Sequence, residues 1–211
     1  MKPRDIVKTV GCIFIALGLF IVIGSLYINI RQQAMKKSAI AEFRNMVVAS
    51  ETILEEYPID GTTPELTEED ASQGGSAAVE GDILYMLRIP CIDSENPVRE
   101  GVSAGVLADS LGHEPDTAYI GEGGNCVIAG HRNYSFGSFF NRLNEVKEGD
   151  TIYVDTATDS YSYTVVAVKV VEPEDLSVLE PTDAETLTLY TCTPLYLATH
   201  RLVIIANRIE D

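Results

Sequence analysis

From Thr186 to Ile209 the chain reads TLTLYTCTPLYLATHRLVIIANRI, two apolar runs separated by a short connection. Thr186 to Cys192 alternates Thr with Leu or Tyr, the period of a half-buried strand, and His200 to Ala206 is a nearly continuous apolar run of strand length. Pro194 lacks an amide donor and has a fixed backbone angle, so the first strand cannot easily continue past Cys192. If the two strands pair as antiparallel neighbours, the Cys192 thiol and the Arg201 guanidinium share one rim.

A cysteine at a strand end is, by itself, as consistent with a small buried hydrophobe as with a reactive group. A thiol of pKa about 8.5 is mostly protonated at neutral pH, and a nearby cation or histidine is the usual means of activating it. The chain has only three histidines, His113, His131 and His200. His131 follows the apolar run Asn125 to Gly130 (NCVIAG), again at a strand end before a polar loop. His113 falls in GHEPDT, which reads as a turn, and its expected role is to orient that loop. His200 directly precedes Arg201, so strand alternation points it to the opposite face. Cys192, His131 and Arg201 at three strand ends suggest a nucleophile, its proton partner and an anion stabiliser on a rigid scaffold.

Ile83 to Pro90, Asn125 to Gly130, Thr151 to Val154, Tyr161 to Val171, Thr186 to Cys192 and His200 to Ala206 read as strands. Helical turns are expected over Val102 to Leu111 and Phe139 to Val146, and GEGGN at Gly121 to Asn125 reads as a turn before a strand rather than a phosphate loop. A mainly β unit over 81–211 with strands this dominant favours a single closed or nearly closed barrel.

The preceding residues divide into a short charged tail (1–8), an uncharged apolar stretch (9–30), and a juxtamembrane segment (31–80). The stretch Thr9 to Ile30 exceeds a signal-peptide apolar core and is long enough to cross a hydrocarbon layer of about 30 Å, so a retained single-pass anchor is expected. Apolar residues from Ala39 to Tyr57 recur at helical spacing, and 58–81 turns acidic and rich in small residues, a linker or lid-like flap. Beyond Ser50 stand 8 Lys and Arg against 30 Asp and Glu, a formal charge of −22. Such a surface argues against nucleic acid as a partner.

TLYTCTP followed by THRLVIIANRI resembles the active-site strands of sortases, and GHEPDTAYIGEGGNCVIAGHR, from Gly112 to Arg132, is similar to the sortase segment that ends in the catalytic histidine. The Cys-Thr-Pro opening and the Thr-His-Arg before the last strand look most like class C, the pilin-type branch. The resemblance implies an eight-stranded β-barrel with short helices on an extracellular domain of a Gram-positive cell. It implies a cysteine transpeptidase, in which Cys192 attacks the Thr-Gly bond of an LPxTG-like sorting signal and a thioacyl enzyme is resolved by an amine. His131 would be the general acid and base and Arg201 the oxyanion or substrate-backbone stabiliser. The implied partners are pilins or surface proteins bearing the signal, with a pilin lysine as amine. A class D-like, wall-anchoring enzyme using a peptidoglycan cross-bridge amine is the alternative, because 58–81 lacks the Asp-Pro-aromatic lid motif of many class C members and no second apolar span follows the last strand. A cysteine hydrolase or a non-enzymatic surface module stays open. The implied chemistry needs no cofactor, and no metal-ligand spacing is present. Cys91 and Cys126 either pair as a disulfide or remain two buried thiols.

Overall fold

In a computed structural model the described residues are 3–56, 78–132 and 139–210. Eight strands close into one barrel: β1 (Ile83–Ile89), β2 (Ser94–Glu100), β3 (Leu111–His113), β4 (Asn125–Ala129), β5 (Thr151–Asp155), β6 (Ser160–Val171), β7 (Thr186–Thr193) and β8 (His200–Arg208). Around the barrel the order is β1-β2-β3-β4-β7-β8-β6-β5. The β2–β3 and β4–β7 pairs are parallel and the others antiparallel. Closure leaves no free edge, and the inward-facing set, including Leu87, Ile89, Val98, Ile128, Leu187 and Ile204, forms a single core. The β1–β5 seam is fastened by Arg88, whose Nε and Nη2 donate to the Asp155 carboxylate at 2.8 and 3.0 Å.

Six strands coincide with the sequence expectation, and two do not. β2 reads SENPVRE, with no clean alternation and with Pro97 inside it. It forms because the apolar and small residues of that run are taken up by β1 and β3, a tertiary effect that local pattern does not carry. The stretch expected to be a helical turn over Val102 to Leu111 divides. Its first part is α2 (Ala104–Leu107), capped by the Ser103 side chain, which accepts from the Val106 N–H, and its end is β3. His113 therefore lies in a strand and not in a turn. The turn expected at 139–146 is a short 3-10 segment over Leu143–Glu145.

The amino-terminal quarter of the chain is one helix, α1 (Pro3–Glu56), so the apolar span and the amphipathic stretch that the sequence separated are continuous. Between Ile13 and Ile30 its large apolar side chains face outward, and among the described residues Gly11–Ala49 is the only helix segment long and apolar enough to cross a membrane. Further along, Ala39 and Phe43 are buried where α1 packs on β1 and β2, and Glu42 accepts from Arg99 at 2.6 Å. Phe43 lies thirteen helical steps beyond Ile30, a rise of about 20 Å. The flap expected over 58–81 falls almost wholly outside the described residues. Cys91 and Cys126 are free, and Cys91 is exposed rather than a second buried thiol.

Candidate active site

Cys192 is the seventh residue of β7, and β7 runs one residue further before the cis Thr193–Pro194 peptide. Its registered partner on antiparallel β8 is Arg201. Directly opposed residues of such a pair share one face, with Cβ atoms about 4.5–5.5 Å apart, so both side chains leave the strands on the outer face of the barrel. Leu187, Leu189 and Thr191 alternate with Cys192 and face inward, and all three are buried.

His131 is brought to the same rim by the end of β4, which runs parallel to β7. Three contacts fix that end. The Gly130 N–H donates to the Tyr190 carbonyl at 3.2 Å, the Thr191 hydroxyl donates to the Gly130 carbonyl at 2.7 Å, and the Phe140 N–H donates to the His131 carbonyl at 3.3 Å. Gly130 is required here by close approach: a Cβ would lie 2.5 Å from both Leu111 and Phe140. The threonine before the cysteine is thus a buried brace between the two strand ends that carry His131 and Cys192.

His131 and Cys192 line one open cleft of ≈ 160 Å³ together with Arg132 and the β7–β8 connection at Pro194, Leu195 and Tyr196. Arg201 lines a separate pocket of ≈ 190 Å³, with Glu114, Asp175, Tyr190, Leu176 and Leu179. Cys192 and Arg201, though paired in register, thus line different cavities. The Tyr190 hydroxyl donates to Glu114 Oε2 at 3.2 Å. Burial raises the Glu114 carboxyl above the usual range, against the lowering effect of the Tyr190 hydrogen bond, and burial together with Glu114 raises the Tyr190 phenol.

The second pocket is walled by the 3-10 segment Leu176–Leu179 of the β6–β7 connection. Asn125 holds that connection in place. Its Nδ2 donates to the carbonyls of Val178 and Glu180, both at 3.0 Å, while its Oδ1 accepts from the Thr188 hydroxyl at 2.7 Å. Sequence reasoning passed over Asn125 as the start of an apolar strand; a polar residue heading such a run was the available signal. It also passed over Arg132, the residue after His131. Arg132 Nη1 donates to Thr193 Oγ1 and Nη2 to Asn144 Oδ1, each at 2.8 Å.

The other two histidines lie elsewhere. His113 is buried, with Nδ1 2.9 Å from Glu100 Oε2 and Nε2 3.1 Å from the Ala118 carbonyl, and stacks on Tyr119. It ties β3 to β2 and to the turn before β4. His200 is half-buried, bonded to Thr199 and 3.3 Å from Glu172.

No group of three or more His, Cys, Asp or Glu among the described residues is arranged to hold a metal ion. The family model described as "Sortase domain" matches residues 87–209. Sortase D of Bacillus subtilis is 32% identical over 133 residues, covering 61% of this chain and 65% of the relative. Sortase A of Listeria monocytogenes is 29% identical, covering 63% of this chain and 60% of the relative. The chain thus matches less than two thirds of the length of these curated relatives. Among solved structures, a Clostridium perfringens Sortase D5 transpeptidase superposes with a TM-score of 0.66 at 28% identity, covering 84% of this chain and 99% of that one. Sortase C1 from Streptococcus suis superposes at 0.58 with 31% identity, covering 62% and 75%.

Proposed function

This chain belongs to the sortase family, and from that premise we propose that it is a membrane-anchored transpeptidase in which Cys192 opens the Thr-Gly bond of an LPxTG-like sorting signal. The observation that supports the reading is a cysteine at a strand end, in register with an arginine, sharing a cleft with a histidine from the parallel neighbour.

In this mechanism the Cys192 thiolate attacks the threonine carbonyl carbon, and the oxyanion that forms is stabilised by the Arg201 guanidinium beside it. His131 gives its proton to the departing glycine nitrogen, leaving a thioester on Cys192. An incoming amine then attacks the same carbonyl, His131 takes its proton, and the sulfur leaves. Since His131 serves the amine side, the cleft it lines receives the departing and incoming amines. The pocket beyond Arg201 then receives the acyl segment.

The amine is a pilin lysine in the pilin-type reading and a peptidoglycan cross-bridge amine in the wall-anchoring reading. The likeness to proteins named Sortase D and Sortase D5 transpeptidase supports the second of these. The exposed apolar side chains of α1 support a single-pass anchor, and membership of the sortase family supports an orientation with the amino terminus cytoplasmic and the barrel outside. The test is mass spectrometry of the full chain in detergent with sorting peptides and candidate amines. An acyl adduct on Cys192, absent in Cys192→Ala and transferred to an amine, is the expected result. Release of free acid alone would make the protein a hydrolase, and no adduct with any signal would reject the reading.

A further inference from the structure

The barrel carries six arginines: Arg88, Arg99, Arg132, Arg142, Arg201 and Arg208. Four pair with carboxylates, Arg88 with Asp155, Arg99 with Glu42, Arg142 with Glu145 and Arg208 with Glu185. Among the described residues, the two with no carboxylate within ion-pair reach are Arg201 and Arg132, and these stand on either side of Cys192. In a chain with 32 acidic and 15 basic residues, a guanidinium with no ion-pair partner in the Cys192 cleft is a specific arrangement; the pocket of Arg201, by contrast, is lined by Glu114 and Asp175. Arg201 is accounted for by the oxyanion. Arg132 is not. Its two hydrogen bonds go to neutral oxygens of Thr193 and Asn144, its Nε is buried without an acceptor among the described residues, and the following residues 133–138 (Asn-Tyr-Ser-Phe-Gly-Ser) contain no acid.

We propose that Arg132 reads the acceptor: the amine that resolves the acyl enzyme carries a carboxylate close to its nitrogen, and Arg132 binds that carboxylate in the cleft shared with His131. The inference rests on the reading of Cys192 as an acylated nucleophile. In the transfer step the amine nitrogen attacks the thioester carbonyl, the C–N bond forms and the C–S bond breaks. The sulfur keeps the electron pair as thiolate, and the ammonium proton passes to His131. A carboxylate beside the amine would then sit against a cation already held by two hydrogen bonds, a charge-assisted contact between a pre-positioned guanidinium and an anion.

The experiment is a competition measured as a product ratio, so that changes in acylation rate cancel. The full chain in detergent is acylated on Cys192 by a small activated peptide thioester that needs no sorting signal, in an equimolar mixture of glycine and glycinamide, and the two products are quantified by mass spectrometry. The carboxylate makes the glycine nitrogen more basic and so lowers its free-amine fraction at neutral pH; any preference for glycine therefore comes from the protein. The expected result is a preference for glycine of about tenfold over the ratio in free solution, a charge-assisted contact being worth at least that. Arg132→Gln should return the ratio to its solution value and Arg132→Lys should keep part of it, while Thr193→Val and Asn144→Ala, which remove the partners and keep the charge, should retain the preference. If Arg132→Gln misfolds, loss of the preference in Arg132→Lys at high salt carries the same test. A wild-type ratio equal to that in solution, or one unchanged by loss of the Arg132 charge, overturns the proposal. Parallel loading with sorting peptides tests the sorting-signal reading separately: failure there with an intact glycine preference removes the signal and leaves the acceptor subsite.

Discussion

Asn125→Ala should detach the wall of the acyl-side pocket. The side chain is buried and makes three hydrogen bonds, two to carbonyls of the β6–β7 connection and one from the Thr188 hydroxyl. A net hydrogen bond contributes about 0.5–1.5 kcal/mol, which sets an upper range of roughly 1.5–4.5 kcal/mol for the three. Val178 is only half-buried and Glu180 is exposed, so water replaces the amide at those carbonyls at small cost. Thr188 is buried, and its hydroxyl is left without its acceptor, the larger share of the penalty. The expected loss is therefore about 2 kcal/mol, or roughly 5–10 °C in Tm for a domain of this size. The loss should be concentrated locally, because the connection can lift without opening the barrel. Urea unfolding gives the global value, and amide exchange over 172–185 gives the local one. Sorting-peptide kinetics should show KM rising more than kcat falls, since Cys192 and His131 are held by β7 and β4 through other bonds. Unchanged exchange over 172–185, or a stability change below about 0.5 kcal/mol, would show that Asn125 does not hold this loop.

Arg201→Lys should lose about 10² to 10³ in turnover, nearly as much as Arg201→Ala, because a flexible ammonium replaces a planar donor fork; near-native turnover of a sorting peptide would reduce Arg201 to a general positive charge. The Asp155 carboxyl is pushed up by burial, yet the hydrogen bonds from Arg88 and Ser160 outweigh this and hold it below the usual carboxylate range. A depressed folded-state pKa contributes stability that is present above the unfolded value of about 3.9 and is lost as pH falls through the folded value, so Arg88→Met should flatten the acid limb of the stability curve below about pH 4, measured by denaturant midpoints. Partial desolvation of the otherwise exposed Cys91, together with the neighbouring Asp150, pushes its thiol up to about 11, so its alkylation should climb roughly tenfold per pH unit between pH 8 and 10; rapid labelling of Cys91 at pH 8 would contradict this.

What the sequence determined by itself follows from periodicity and from chemically special residues. Apolar runs of strand length located β1, β4, β5, β6, β7 and β8, and the long uncharged stretch located the apolar part of α1, because burial against a core or a membrane is written residue by residue. The same reading put Cys192, His131 and Arg201 at strand ends. The tertiary structure decided what lies beside what. β2, with Pro97 and no alternation, is a strand only because β1 and β3 flank it, and His113 joins β3 because Glu100 of β2 faces it. The parallel register of β4 on β7 is a long-range pairing with no local signal, and it alone brings His131 to the cleft of Cys192. Likewise, the sequence offers Arg142 a glutamate three residues on and Arg132 none in the six that follow, but only the packed barrel, by giving Arg132 two neutral oxygens, leaves its charge without an ion-pair partner in the cleft of the cysteine. Charge balance at a site is a property of neighbours in space, and the chain fixes those neighbours only by closing the barrel.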